Sequence, residues 1–250
     1  MISILYPIKD RLYLFKNTIE SIKKYAMDIT DKFEIIVLDC DSSDDIEKYV
    51  ISLKEIFNIK YVNYKYKNKS QFISPIYAIN LGFRIAKYDS VIVTSPEIIH
   101  VTPVIKQLLK LVGQNILCKV TELSTRDPKR KKIRLLMGTQ ESFRCKEPGM
   151  YFIGMYNKKD WWAIGGIDEK TMDGIGYEDR DFGNRFNRAH LIFKVIDEIE
   201  GFHQEHYRGY QDVNLLNHNR SILEYNDSNK VIKVNTNIIA GDPKYIRYIK

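Results

Sequence analysis

Strands and helices alternate over the first 112 residues, and this rhythm predicts an α/β protein with a mostly parallel sheet flanked by helices. Three observations carry the expectation. Short apolar runs recur at ISILYP (2–7), FEIIVLD (33–39), IKYVNYKY (59–66) and DSVIVTS (89–95). Between them lie segments whose apolar residues repeat at helical spacing. The chain has 250 residues, 44% of them hydrophobic, which is enough apolar material for one core of this class.

The elements follow in order. After the first strand, Leu12, Phe15, Ile19, Ile22 and Tyr25 mark a helical face. After the second, DSSDDIEKYVISLKEIF starts a helix, with Ser43, Asp44 and Asp45 at its acidic first turn. Pro75 to Ala86 and Pro103 to Val112 read as the third and fourth helices. Beyond residue 115 the rhythm loosens: ILCKVTEL and MYFIGMY read as strands, KKDWWAIGG as helix-like, Glu178 to Arg188 as a helix, and LIFKVID as a strand ending at Asp197. From about Tyr207 the chain is polar, rich in Asn and weakly periodic, a tail expected to wrap the domain or to stay partly mobile. The expected organisation is 1–112, 113–206 and a C-terminal extension, 207–250.

Cys40, Cys118 and Cys145 are odd in number and lack the close spacing of a zinc or redox motif, so free thiols in a reducing, cytoplasmic setting are expected. No apolar run approaches the length of a membrane span. The formal net charge of +7 admits nucleic acid, an anionic membrane surface or a phosphorylated ligand as partner. The basic residues are scattered except at Lys129, Arg130, Lys131, Lys132 and Arg134, a solvated hairpin tip or a peripheral membrane contact. They form no recognisable nucleic-acid motif, so no nucleic-acid partner is expected.

In parallel sheets ligands bind at the carboxyl ends of the strands. Those ends hold Asp10, Asp39, Asp41, Asp44 and Glu97. A second acidic concentration lies in GIDEKTMDGIGYEDRDFGNRF, residues 166–186, with six carboxylates and four glycines in a chain of positive net charge. That is a poor recipe for a core and a good one for a polar site. An ordinary helix start at EDRDFG, favoured by the helix dipole, is the plain alternative.

ISILYPIKDR, IIVLDCDSSD and GGIDEKTMDGIGYEDRDFGNRF, in that order, resemble the family 2 nucleotide-sugar glycosyltransferases of GT-A, Rossmann-like fold. The last segment is similar to the Gly-Trp-Gly-x-Glu-Asp-x-Asp element of β-1,4-galactosyltransferases and chondroitin-polymerase-type enzymes. The resemblance spans about residues 1–206. It implies a UDP-sugar donor, a saccharide or glycoconjugate acceptor and an inverting transfer, with Asp179 as the base and Glu178 on the acceptor. It places Pro7, Asp39 and Asp41 in the nucleotide pocket, although Asp41 with Ser43 is equally suited to cap the next helix.

Asp181 would cap its helix or orient its neighbours beside the acceptor. Ile175 replaces the family's Trp, leaving Tyr177 to stack on the acceptor ring. Trp161 or Trp162 would form an acceptor platform, or else plug the core beneath the site. The family's Asp-x-Asp is reduced here to Ser95-Pro96-Glu97. By the resemblance, Glu97 and a downstream His, His203 or less readily His206, would hold Mn²⁺ or Mg²⁺, with Glu205 as a further oxygen donor. The reduced motif also admits a metal-independent enzyme or a silent sugar-binding relative, and charge alone admits a basic nucleic-acid-binding protein.

Overall fold

Alternation along the first two strands decides which layer each side chain joins. β1 (Ile2–Ile8) sends Ile4, Tyr6 and Ile8 to one face and Leu5 to the other, and β2 (Phe33–Asp39) likewise splits Ile35 and Val37 from Ile36 and Leu38. Strands buried on both faces must be covered on both. The structure is a computed structural model that describes residues 1–65, 75–123, 133–137, 152–173, 176–206 and 213–250, with 133–137 as backbone only.

One face is covered by α1 (Leu12–Ala26), α2 (Ile46–Ser52) and α4 (Val104–Leu109), through Phe15, Ile19, Ile22, Val50 and Leu108. The other is covered by α3 (Pro75–Ile85), α5 (Lys158–Ala163) and α6 (Glu178–Arg188), through Ile79, Phe83, Trp161, Phe182 and Phe186. β1, β2, β3 (Ile59–Tyr64) and β4 (Ser90–Thr94) run parallel in the order β3-β2-β1-β4. The expected α/β class therefore holds, and the carboxyl ends of these strands lie together.

Past β4 the sheet becomes mixed. β8 (Ile153–Asn157) runs antiparallel to β4, and β6 (Ile116–Leu123) lies between β8 and β9 (Lys194–His203). The short β5 (Ile98–His100) closes that edge against β9, while β7 (Ile133–Met137) branches off β6. β9 outruns the strand expected from the sequence, which stopped at Asp197, and carries its last residue, His203, beside Ile98.

Of the two alternatives expected for the C-terminal segment, wrapping the domain is the one seen at 213–250. α7 (Val213–Ser228) packs on α6, and β10 (Ile246–Ile249) adds antiparallel to β3, so 213–250 belongs to the same body rather than trailing from it. Among the described residues, no helix is long and apolar enough to cross a membrane. Cys40 and Cys118 are buried free thiols; Cys145 and the basic segment Lys129–Lys132 lie outside the described residues.

α6 is anchored by a completely buried ion pair. Arg185 Nε donates to Asp181 Oδ2 at 2.7 Å, its Nη1 to the Ile164 carbonyl at 3.0 Å, and Asn226 Nδ2 reaches Asp181 Oδ1 at 2.9 Å. Removing one partner strands the other charge in the core. Asp181→Ala should therefore lower stability by about 3–5 kcal/mol, a fall of roughly 6–20 °C in melting temperature. Calorimetry showing a fall of less than about 2 °C would contradict the anchoring role.

Candidate functional site

The carboxyl ends of β1 and β2 are laced to each other. Asp10, in a left-handed conformation (φ 50°), accepts from the Ser43 amide at 2.6 Å and the Ser43 hydroxyl at 3.0 Å, while its own amide donates to Ser42 Oγ at 2.9 Å. Asp44 caps α1 rather than α2, accepting from the Leu12 amide at 2.9 Å. The acidic run after β2 thus serves the first helix and the first loop. The helix start expected at Ser43 instead falls at Ile46, without a side-chain cap.

Asp39 is completely buried and sits at the hub of this corner. Its carboxylate accepts from the Ser42 amide and hydroxyl, from Tyr61 Oη at 2.6 Å and from Asn63 Nδ2 at 3.3 Å. Pro7 lies in β1 opposite Leu38, one residue before the Ile8–Asp39 pair, so Pro7 and Asp39 share one corner. Asp41 does not point inward with Asp39. It is exposed, has φ 57°, and pairs with Arg247 Nη1 from β10 at 2.7 Å.

On the far side of β4, the chain brings together three groups separated by a hundred residues. Glu97 turns out of β4 into β5, His203 ends β9, and His206 follows in the next loop. The Gln204 amide donates to the Glu97 carbonyl at 3.0 Å and locks the two segments side by side. His203 Nε2 lies 3.7 Å and His206 Nε2 3.5 Å from Glu97 Oε1, and one donor atom from each residue fits within 4.8 Å. Burial alone would raise the Glu97 carboxyl, but the two rings outweigh it and hold the carboxyl down at about 2.

Carboxylate oxygen with two imidazole nitrogens is a donor set suited to Mn²⁺ and other borderline divalent ions. Glu205 is exposed and outside this set. Glu122 was not singled out from the sequence. It is buried on β6 in register with His203, with Oε2 3.7 Å from His203 Nδ1, on the side away from Glu97. A lone carboxylate in the apolar run ILCKVTEL was the available signal.

The acidic stretch resolves into different jobs. Asp168 is buried and closes a turn by accepting from the Lys170 and Thr171 amides. Glu169 accepts from Asn80 Nδ2 at 3.2 Å and from the Gly241 amide at 2.7 Å. Asp181 belongs to the buried ion pair with Arg185, so its expected place beside the acceptor is corrected: the side chain has no exposed surface. Glu178 and Asp179 remain, in the first turn of α6, where the helix dipole favours negative charge.

Despite the dipole, both are raised above the ordinary carboxylate range. Burial is the main cause for each, and the Asp179 charge adds to the rise at Glu178. Tyr156 on β8, itself raised by burial and further by Cys118 and Asp179, faces this pair from the sheet. Such a pair carries a proton near neutral pH and can take one up.

Trp161 is also corrected. It is completely buried, stacked on Phe83 (centroids 3.7 Å apart, 9°) and tilted against Phe182 at 4.5 Å, so neither face is open to a sugar ring. It forms the floor under α6. Trp162 is half-buried beneath the Arg84 guanidinium. Tyr177 adopts a left-handed conformation (φ 68°) at the α6 start, and its hydroxyl accepts from Arg220 Nε at 2.9 Å and Nη2 at 2.7 Å. A cleft of about 670 Å³ opens elsewhere, bordered by Glu169, Asn237, Ile239, Asp242 and Tyr245; none of Asp39, Glu97 or Glu178 lines it.

The raised Glu178 carboxyl has a stability consequence. The folded chain holds that proton more tightly than the unfolded chain does. The stability this contributes is complete below the ordinary carboxylate range and is lost as pH rises through the raised range. Glu178→Gln should therefore melt above the parent at about pH 9 and alongside it at about pH 4. Melting curves offset equally at both pH values would refute the assignment.

No protein-family model and no curated protein sequence matches the chain. Solved structures do match in fold. The S. aureus TarS fragment 1–349 in complex with UDP-GlcNAc superposes with TM-score 0.65 over 92% of this chain and 70% of its own, at 13% identity. A mannosyltransferase, PcManGT from Pyrobaculum calidifontis, in complex with GDP-Man and Mn²⁺, does so with TM-score 0.60 over 84% of this chain, at 12% identity. This chain spans 58% of that mannosyltransferase and 36% of the longer TarS structure. The architecture is accordingly the GT-A-like α/β fold of solved glycosyltransferases.

Proposed function

We propose that the protein is a nucleotide-sugar glycosyltransferase, and the observation that carries the reading is the Glu178–Asp179 pair. A buried Glu178 and a partly buried Asp179, both raised in pKa at one helix start, together with a compact Glu–His–His cluster elsewhere in the chain, suit what the transfer demands. The departing nucleoside diphosphate must be neutralised and the acceptor hydroxyl must lose its proton. Asp179 takes that proton as the acceptor oxygen attacks the anomeric carbon from the face opposite the leaving group, giving inversion. Glu178, protonated more readily, donates a hydrogen bond to an acceptor hydroxyl, and Tyr177 borders the acceptor.

The nucleotide lies at the Pro7–Asp39 corner, whose shape Asp39, itself without exposed surface, holds through Ser42, Tyr61 and Asn63. UDP is the donor nucleotide we favour, from the motif resemblance. Asp41 contributes at the rim through its pair with Arg247. Glu97, His203 and His206 would hold a divalent cation, Mn²⁺ or Mg²⁺, which supplies positive charge for the diphosphate.

The test is differential melting with UDP or GDP, each with Mn²⁺ or with chelator. A nucleotide at about a hundred times its Kd stabilises a fold by about 2.7 kcal/mol, or roughly 5–10 °C here. A UDP shift that needs Mn²⁺ is expected, and Glu97→Gln or His203→Ala should weaken Mn²⁺ binding by calorimetry at least as much as the roughly 10–100-fold typical of outer-shell losses. A shift that survives chelator would move the reading to a metal-independent enzyme. Asp179→Asn should slow transfer by about 10²–10⁴-fold while leaving the UDP shift in place. Transfer at the parent rate would remove Asp179 from the base role.

A further inference from the structure

Three successive residues of α7 grip the loop that leads into α6. His218 Nε2 lies 2.8 Å from the Thr171 carbonyl, Arg220 holds the Tyr177 hydroxyl, and between them Asn219 is completely buried with its amide fully engaged. Asn219 Oδ1 accepts from the Asp173 amide at 3.0 Å. Its Nδ2 donates to the Asp173 carbonyl at 2.6 Å and to the Gly176 carbonyl at 2.9 Å.

Gly176 is where this grip meets the chemistry. Its carbonyl is held by Asn219, and its N–H donates to Glu178 Oε2 at 2.5 Å. Its φ of 113° lies where side chains are strained, and a Cβ there would collide with Leu216, one turn before Asn219 on α7. The residue is thus pinned from one side by α7 and in turn pins the Glu178 carboxylate.

We propose that Asn219 is the positioning residue of this site: through Gly176 it fixes Glu178 and the adjoining Asp179 in their sheltered geometry. The inference rests on reading the pair as the acceptor and base groups. Asn219 touches neither carboxylate, so it acts only through the loop. Arg180 on α6 lowers the Asp179 carboxyl and the Gly176 amide lowers that of Glu178, while the Asp179 charge raises both Glu178 and the Tyr156 hydroxyl on β8. Asn219 is itself uncharged, so exchanging it for another uncharged residue reaches the pair by moving backbone rather than by altering a neighbouring charge.

The experiment is side-chain carboxyl titration by NMR on the full chain, labelled with ¹³C at Glu and Asp, in parent, Asn219→Ala and Asn217→Ala. Asn217 is exposed on the same helix and serves as control. In the parent, two carboxyls should titrate above the ordinary range. In Asn219→Ala the upper midpoint should fall by about one pH unit as water reaches the pair, and Asn217→Ala should match the parent. An unchanged upper midpoint in folded Asn219→Ala overturns the proposal.

If Asn219→Ala does not fold, Asn219→Ser adds no charge and keeps one hydroxyl but loses the paired amide donor and acceptor, and the same comparison decides. Failure of the glycosyltransferase reading would appear separately, as a parent that titrates as expected yet shows no melting shift with UDP or GDP and Mn²⁺.

Discussion

The site depends on one constraint: the irregular backbone of residues 165–173 and 176–177 is sheltered over much of its length, and each N–H and C=O so sheltered must find a partner. Helices and strands satisfy themselves, but this stretch does neither. Buried asparagine side chains substitute for the missing neighbour strand, since an amide carries both a donor and an acceptor in the geometry of a peptide group. Asn80 accepts from the Ile167 amide and donates to its carbonyl, and Asn235 donates to the Gly165 and Ile167 carbonyls while accepting from the Glu169 and Lys170 amides. Asn219 does the same for Asp173 and Gly176. Remove these amides and the acidic stretch has nothing to hold its shape.

That scaffolding explains how so many carboxylates coexist. Those given a structural task are held by local partners: Asp168 by turn amides, Asp181 by Arg185, and Glu169 by an amide and Asn80, although burial still raises the Glu169 carboxyl. At Glu178 and Asp179 burial outweighs the amides that reach them and drives both toward the protonated state. The Glu97 corner is tuned in the opposite sense by His203 and His206, which keep a nearly buried carboxylate ionised. Two acidic centres in one molecule are thereby set to different protonation states, a separation suited to an acid–base step at one and charge binding at the other.

Much of the frame was legible in the sequence because it rests on short-range signals. The apolar runs at 2–7 and 33–39 gave β1 and β2 nearly to the residue, and the turn residues after them put Asp39 at a strand end. Pairing Glu97 with His203 depended on a motif comparison, and the structure brings the two side by side. What failed to show was long-range. For Trp161 and Asp181 the sequence left a place beside the acceptor and a structural role both open, because nothing in their local spacing reveals Phe83 stacked on one or Arg185 buried beside the other. α7 escaped notice because its inward face carries Asn219 and Asn226 beside Leu223, so the apolar stripe that marks a packed helix is interrupted by the very residues that matter. The Asn-rich composition left a wrapped and a mobile tail both open, and the partners of its buried amides, backbone or carboxylate in each case, are what composition does not show.

β10 gives this architecture a temporal dimension. It pairs with β3, almost the whole chain away in sequence, and Arg247 beside it reaches back to Asp41 at the first corner of the sheet. Contacts of such long separation form late, because loop-closure entropy must be overcome before they return any energy. During synthesis from the N-terminus, β3 therefore stands as an unpaired sheet edge until β10 emerges, the kind of edge that invites association with other chains. The parallel core can form early, but the loop into α6 has to wait for α7 to arrive. A chain at that stage would thus be a folded frame whose acidic loop takes its shape only as α7 docks.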